Sequence, residues 1–377
     1  MGHSDLLRVI GLRRQLHENA ELSGHEQGTA ALIEDFLEAS HPNSVLRGLG
    51  GGAGLAVIYH GEGPGPTLVL RSDLDALPIQ ETKGLAHCSR NPGVSHKCGH
   101  DGHMAILAGL ALRLKQTGLG SGKLVLLFQP AEETGAGALE VINDQRFQDL
   151  RPDYIFALHN LPGYPPGQIL IRPGVFTCAS RGMIIRLLGA SAHAAYPEKA
   201  VSPTRAFAEI LQGMSRLSGS LSSFSLVTVI YARLGEIAFG TTPGNAEIMA
   251  TLRSDNDEHL DRLAREAEAL ARRAVLDSRL ELEISWRDKF STTINDPDAV
   301  AIVREATAAC DLVVAETDGP FRWSEDFGEF LGRYCGALFC VGAGEDHPPL
   351  HHPEYDFPDE LIGTGICIFE KIVQRIL

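Results

Sequence analysis

The segment Ser95–Ala111, SHKCGHDGHMAILAGLA, sets three histidines, a cysteine and an aspartate directly ahead of an apolar run. Cys98 and His100, two positions apart, offer two good ligands to one metal ion or to two adjacent ones. The same window admits other readings: Asp101 caps a helix beginning near Gly102, or Cys98 is a nucleophile activated by His100. In FQPAEETGAGA, Glu132 and Glu133 close an apolar strand, where paired carboxylates are costly unless cations or solvent meet them. Adjacent glutamates can also divide labour, one binding an ion while the other takes a proton from water. His159 ends another apolar run, and His347, His351 and His352 crowd a proline-rich segment. Each has a structural explanation when taken singly. Four Cys, His and Glu sites at the ends of strands in one sheet point instead to a shared centre.

The elements that must position these residues alternate along the first half of the chain. GLAVIYH, TLVLRSD, KLVLLFQ and DYIFALHN read as strands, while HEQGTAALIEDFLEAS and GHMAILAGLALRLKQ carry apolar residues at helical spacing. Helices between strands buried on both faces give a parallel sheet with helices on both sides. Ligands of such sheets gather at the carboxyl ends of the strands, where Asp73, Asp75, Glu132, Glu133 and His159 fall. From Arg181 the rhythm becomes strand, helix, strand, strand, helix, strand, the split βαβ order of ferredoxin-like domains. Its helix DEHLDRLAREAEALARRAV presents a solvated face and one apolar stripe. Strands and helices alternate again after Asn295. The fold read here is α/β: a catalytic domain over 1–180 and 293–377 with a mainly parallel sheet, and an inserted ferredoxin-like α+β domain over 181–292.

Bulk properties narrow the partners. A formal net charge of -15 repels nucleic acid and anionic membranes, which leaves a small-molecule substrate. The N-terminus lacks a basic segment followed by an apolar one, and no apolar run reaches the roughly 18 residues of a membrane span, so a cytoplasmic location is expected. Seven cysteines, odd in number and scattered, are unlike a disulfide framework, and most read as small buried hydrophobes.

Taken together and in order, LRRQLHENAELSGHEQGTA, LRSDLDALPIQE, HKCGHDGHMAILAGLA, LLFQPAEETGAGA, ALHNLPGYPPGQI, SAHAAYP, NAEIMATLR, WSEDFGEF and PLHHPEYDF resemble the metal-dependent amidohydrolases of the M20 peptidase group. The likeness is to the subfamily of N-acyl-amino-acid amidohydrolases (aminoacylases), hippurate hydrolases and auxin-conjugate hydrolases. It implies two divalent ions held by Cys98, His100, Glu133, His159 and His351, with the Cys98 thiolate bridging them. Zn²⁺ suits a thiolate, and Mn²⁺, Co²⁺ or Ni²⁺ suit the remaining His and Glu donors. The resemblance makes Glu132 the general base and Asp75 the residue that orients a ligand histidine, with Asp101 a further support.

By the same likeness His193 stabilises the oxyanion from the inserted lid domain of a partner subunit, which implies a homodimer. Asn245 and Arg253 would hold a substrate carboxylate, and Trp323 would face the acyl group. The implied reaction is hydrolysis of the amide of an N-acyl amino acid. A dipeptidase or carboxypeptidase of the same group, another C–N hydrolase, and a non-catalytic metal-binding scaffold are the alternatives. Trp323, Ser180, Gly182, Glu198 and Ser202 depart from the usual family residues at their positions and bear on which substrate is preferred.

Overall fold

The computed structural model describes residues 2–82, 84–219 and 223–377. The strands Thr67–Asp73, Lys123–Gln129 and Tyr154–Leu161 are buried along almost their whole length, as unbroken apolar runs require. With Cys335–Gly342 they form four parallel strands in the order Lys123–Gln129, Thr67–Asp73, Tyr154–Leu161, Cys335–Gly342. Antiparallel Gly54–His60 and Ser44–Leu49 extend one side of this sheet of eight. On the other side Ile169–Ile171 runs antiparallel to Cys335–Gly342, and Val314–Glu316 pairs parallel with it. Because the four inner strands share one direction, Asp73, Gln129 and Leu161 end on the same side.

The helix His100–Thr117 is apolar on nearly every face because it is covered on several sides. It packs against the sheet and against helices His3–Glu18 and Leu361–Ile376. Met104, Leu107, Leu110, Leu68, Leu70, Ile362 and Ile366 belong to one core cluster there. At roughly 1.5–3 kcal/mol per buried large aliphatic side chain, this cluster is what pins the start of the helix in place. Two glycines let it seat so closely. Gly99, at φ 92°, occupies the N-cap position, and a Cβ there would lie 2.4 Å from Asn160 Nδ2. A Cβ on Gly102 would lie 2.3 Å from the Phe357 ring.

The chain divides into two compact units. The first runs up to Phe176 and resumes over Thr293–Gly319 and Asp326–Leu377; the second comprises Thr177–Thr292 and Pro320–Glu325. In the second unit the order is strand Ala179–Leu188, helix Thr204–Leu217, strands Ser225–Leu234 and Asn245–Ser254, helix Asp257–Val275, and strand Glu281–Phe290. These strands form an antiparallel sheet in the order Glu281–Phe290, Ala179–Leu188, Asn245–Ser254, Ser225–Leu234, which is the ferredoxin-like arrangement. Ala246, Ile248, Ala250 and Leu252 alternate into its core, where Leu260, Leu263, Ala267 and Leu270 line one stripe of the long helix.

Two local expectations are corrected. Asp101 is not the N-cap residue: the helix begins at His100 with Gly99 at the N-cap, and although Asp101 Oδ1 accepts the Gly102 N–H at 3.0 Å, the carboxylate also meets Arg13 and His17 of the N-terminal helix. Among the cysteines, Cys310 and Cys367 form a disulfide joining two packed helices, Pro297–Ala309 at its C-terminal end and Leu361–Ile376. Cys98, Cys178 and Cys340 are buried thiols, and Cys88 and Cys335 are half-buried.

Because the Phe357 ring is itself buried and cannot swing into solvent, Gly102→Ala is expected to lower unfolding free energy by about 1–3 kcal/mol. Urea denaturation checks this, and an unchanged midpoint would mean that the ring yields.

Candidate metal centre

Four loops at the carboxyl ends of the parallel strands converge, and backbone contacts tie them together. His351 N–H donates to the Lys97 carbonyl at 2.8 Å, joining the proline-rich loop to the loop of Cys98 and His100. Asn160, on the His159 strand, donates from Nδ2 to the Cys98 carbonyl at 2.7 Å, and Tyr355 donates its hydroxyl to Asn160 Oδ1. The Asp75 carboxylate accepts the backbone N–H groups of Glu132 and Glu133 at 3.1 and 3.0 Å, and the Ser23 hydroxyl at 2.6 Å.

These ties bring all five expected ligands together. Donor atoms of Cys98, His100 and His159 lie within 4.8 Å of one another, as do those of Cys98, Glu133 and His351; a third such set joins His100 to Glu132 and Glu133. Cys98 belongs to both of the first two sets. Its Sγ lies 3.4 Å from His159 Nε2, and Glu133 Oε1 lies 3.8 Å from His100 Nε2 and 3.7 Å from His351 Nε2.

The ring tautomers are fixed from behind. His100 Nδ1 donates to the Asp75 carbonyl at 2.8 Å, and His159 Nδ1 to the Asn160 carbonyl at 2.6 Å, so both rings turn Nε2 toward the cluster. Asp75 thus orients His100 through its backbone carbonyl; its carboxylate, 3.7 Å from Nδ1, serves the glutamate amides. The third histidine of the motif is used differently. His103 Nδ1 donates to Asp73 at 2.8 Å, and its Nε2 accepts from the Asn160 backbone at 3.2 Å. His347 bonds the Asp356 carbonyl, and His352 accepts the Glu354 N–H, so both brace their own loop.

A cation fits this set on two counts. His100 Nε2 and Glu133 Oε1 are buried without a hydrogen-bond partner among the described residues, a costly state unless something else satisfies them. The protonation preferences also call for positive charge. Burial and the neighbouring carboxylates push Glu133 up to about 8, and burial with Glu133 pushes the Cys98 thiol well above its ordinary value. Burial opposes charge on His100, but Asp73 and Cys98 outweigh it and raise its pKa. A bound divalent ion replaces those protons.

The remaining predicted residues have partners within their own units. Asp101 faces away, toward Arg13 at 3.1 Å and His17 at 2.8 Å. In the second unit His193 is exposed and accepts the Ala195 N–H at 3.0 Å. Asn245 lines a surface groove of about 210 Å³ with Arg186, Arg233 and Glu247. Arg253 donates to the Arg322 carbonyl and the Ser324 hydroxyl at 3.1 and 2.9 Å, and Trp323 stacks on Phe321 with centroids 5.5 Å apart.

Sequence reasoning missed the supports of the glutamate pair and of the ligand loop. Buried Arg71 spans Asp73 and Asp326, each at 2.8 Å, and the Asp326 N–H faces Glu132 Oε1 at 3.4 Å. Under the ligand loop, His17 bridges Asp101 and Glu81, while Lys97 Nζ bonds Glu81 at 2.6 Å. The one available signal was Lys97 itself, a lysine between two cluster histidines that needs a buried anion.

Known proteins resemble the chain over most of its length. A model of peptidase family M20/M25/M40 matches residues 69–375. The chain is 32% identical over 380 residues to N-acetyl-L-cysteine deacetylase of Bacillus subtilis, covering 98% of this chain and 88% of that one. It is 31% identical over 370 residues to N-acetyldiaminopimelate deacetylase of Exiguobacterium sibiricum, covering 97% and 99%. Among solved structures, a Bacillus subtilis protein described as a dinuclear metal-binding peptidase of the M20 family superposes with a TM-score of 0.81 at 26% identity, covering 99% and 98%.

The support beneath the loop has a pH signature. Burial disfavours charge on His17, but its hydrogen bonds to Asp101 and Glu81 prevail and lift its pKa from 6.5 to about 9. A raised pKa favours the folded state below pH 6.5, and that contribution is lost as pH climbs through 9; here it amounts to about 3 kcal/mol. Denaturation at pH 6, 7.5 and 9 is expected to show this decline, and His17→Gln to flatten it. Parallel slopes in both proteins would remove His17 as the cause.

Proposed function

The chain belongs to peptidase family M20/M25/M40, and from that premise we propose that it is a metal-dependent amidohydrolase that cleaves N-acyl amino acids to a carboxylic acid and a free amino acid. The observation that carries this reading is the pair of donor sets sharing Cys98, with Glu132 beside them. Cys98, His100, Glu133, His159 and His351 would hold two divalent ions, Cys98 serving both; the Bacillus subtilis structure described as dinuclear supports that number. Zn²⁺ is the ion most consistent with a thiolate donor, and Mn²⁺, Co²⁺ or Ni²⁺ with the His and Glu donors. When bound, such ions polarise an amide carbonyl and acidify water.

The chain's own residues do the rest. Glu132, buried and held through its amide by Asp75, accepts a proton on its carboxylate from the attacking water and returns it to the departing amine nitrogen. Asp75 and Asn160 keep the His100 and His159 rings from rotating, so no free energy is spent orienting them during turnover. Asp101 acts beneath them by anchoring the N-terminal helix.

Three further assignments rest on the family resemblance. The ferredoxin-like unit is a lid and dimerisation domain, and its His193 donates to the oxyanion of a partner subunit's substrate. Asn245 and Arg253 bind the substrate carboxylate. Burial lowers the Arg253 pKa, a cost that a carboxylate partner offsets. Trp323 bounds the acyl group. The deacetylase names of the two curated relatives favour a short acyl group such as acetyl.

Acetyl-, benzoyl- and indoleacetyl-amino acids assayed beside dipeptides are expected to place the acetyl series first, whereas turnover confined to dipeptides would replace this reading with a dipeptidase. Glu132→Gln is expected to lower kcat at least about a hundredfold while metal content by elemental analysis stays unchanged. Wild-type turnover in that variant would remove Glu132 as the base. Cys98→Ala is expected to lose bound metal, and full retention would refute its ligand role.

A further inference from the structure

We infer that Glu26 is a positioning residue for the Glu132–Glu133 pair: it holds Ala131, the residue immediately before the pair, in a left-handed backbone conformation. Ala131 has φ 52°, a region that residues with a Cβ rarely adopt. Pro130 precedes it, so the chain reverses there within a few residues of the strand end. Both backbone groups of Ala131 are claimed from outside. Its carbonyl accepts the Gly137 N–H at 3.1 Å and the Thr134 hydroxyl at 3.2 Å. Its N–H donates to Glu26 Oε1 at 2.8 Å, across 105 residues of sequence.

Glu26 is an expensive way to make that bond. Its side chain is fully buried, Oε2 has no hydrogen-bond partner among the described residues, and burial raises its pKa. Two unfavourable features, a left-handed alanine and a half-satisfied buried acid, therefore meet at one contact. The contact offsets the first by means of the second. Its consequence falls on Glu132 and Glu133, whose amides are then presented to Asp75. If Ala131 relaxed to an ordinary φ, the following two side chains would swing away from the Cys98 and His100 cluster, and displacements of this kind are costly to a metal centre.

The inference rests on the roles proposed above for Glu132 and Glu133, so its test reads metal affinity as well as turnover. Glu26→Ala, Glu26→Met, Glu26→Gln, Ala131→Gly and the double variant Glu26→Ala/Ala131→Gly are compared with the full-length wild type. The measurements are kcat and KM for an N-acetyl amino acid, Mn²⁺ and Zn²⁺ affinity by chelator competition, and Tm. Glu26→Ala is expected to lower kcat and weaken metal binding, each by about 10- to 100-fold, with KM little changed. Glu26→Met fills the space without an acceptor, is expected to behave like Glu26→Ala, and decides the matter if the alanine variant does not fold. Glu26→Gln keeps an acceptor and is expected to stay near wild type.

The decisive comparison is the double variant. Glycine adopts positive φ without the penalty that alanine bears, so Ala131→Gly is expected to restore much of what Glu26→Ala loses. Wild-type kcat and metal affinity in Glu26→Ala and Glu26→Met would overturn the inference. So would a Glu26→Gln variant as impaired as Glu26→Ala, or an Ala131→Gly change that restores nothing. Should the wild type hydrolyse none of the amides, the proposed reaction fails, while the order of metal affinities across the variants still judges Glu26.

Discussion

Asp75 holds more of this centre than any other residue. Its carbonyl fixes the His100 ring, and its carboxylate collects the amides of Glu132 and Glu133 and the hydroxyl of Ser23. One residue just past the end of a buried strand thus links three segments distant in sequence. Its pKa balance reflects this: burial favours protonation, but the nearby His100 ring and the hydrogen bonds from Ser23 and the amide of Glu133 outweigh it and keep the carboxylate ionised. A charged acceptor with three donors engaged is rigid, and rigidity in the supporting groups keeps candidate donor atoms close together before any ion arrives.

A second buried layer lies beneath the first. Arg13, with no exposed surface, reaches Asp101, and Asp356 and Asp359 surround it; His17 and Lys97 meet at Glu81. Desolvating so many charges is costly, and hydrophobic replacements of equal volume often match such networks in stability. Their return is geometric. The network fastens the N-terminal helix, the Cys98 loop and the loop carrying His351 to one another.

Much of the site was legible because chemistry-bearing residue types are scarce at strand ends. Cys98, His100, Glu132, Glu133 and His159 stood out beside apolar runs, the family resemblance added His351 from a proline-rich segment, and the structure gathers them. Spacing alone does not separate His100 from His103, and it was the family resemblance that named His100; in the structure His103 is engaged by Asn160 and Asp73, which approach from other strands. Asp101 read as a cap because a carboxylate at a helix start usually is one, but Arg13 and His17, more than eighty residues earlier, compete for it. The left-handed Ala131 gave no signal, because no residue type marks it. The central strands were evident from their apolar runs, whereas the three-residue strands at Ile169–Ile171 and Val314–Glu316 are too short to show a period.

The strand order carries a consequence for how the protein is made. Cys335–Gly342 lies between Tyr154–Leu161 and Ile169–Ile171, so a strand from the last tenth or so of the chain is interior to a sheet whose other long strands emerge before residue 162. On the ribosome, the Tyr154–Leu161 edge stays unpaired on one side while the ferredoxin-like unit is synthesised. That unit draws its whole sheet from one continuous stretch and can fold in the meantime. His351, a proposed ligand, arrives after the missing strand. Assembly of the donor set is therefore a late event in biogenesis, and a chain cut short before residue 335 would present an apolar, hydrogen-bonding sheet edge, the kind of surface that chaperones engage and aggregates grow from.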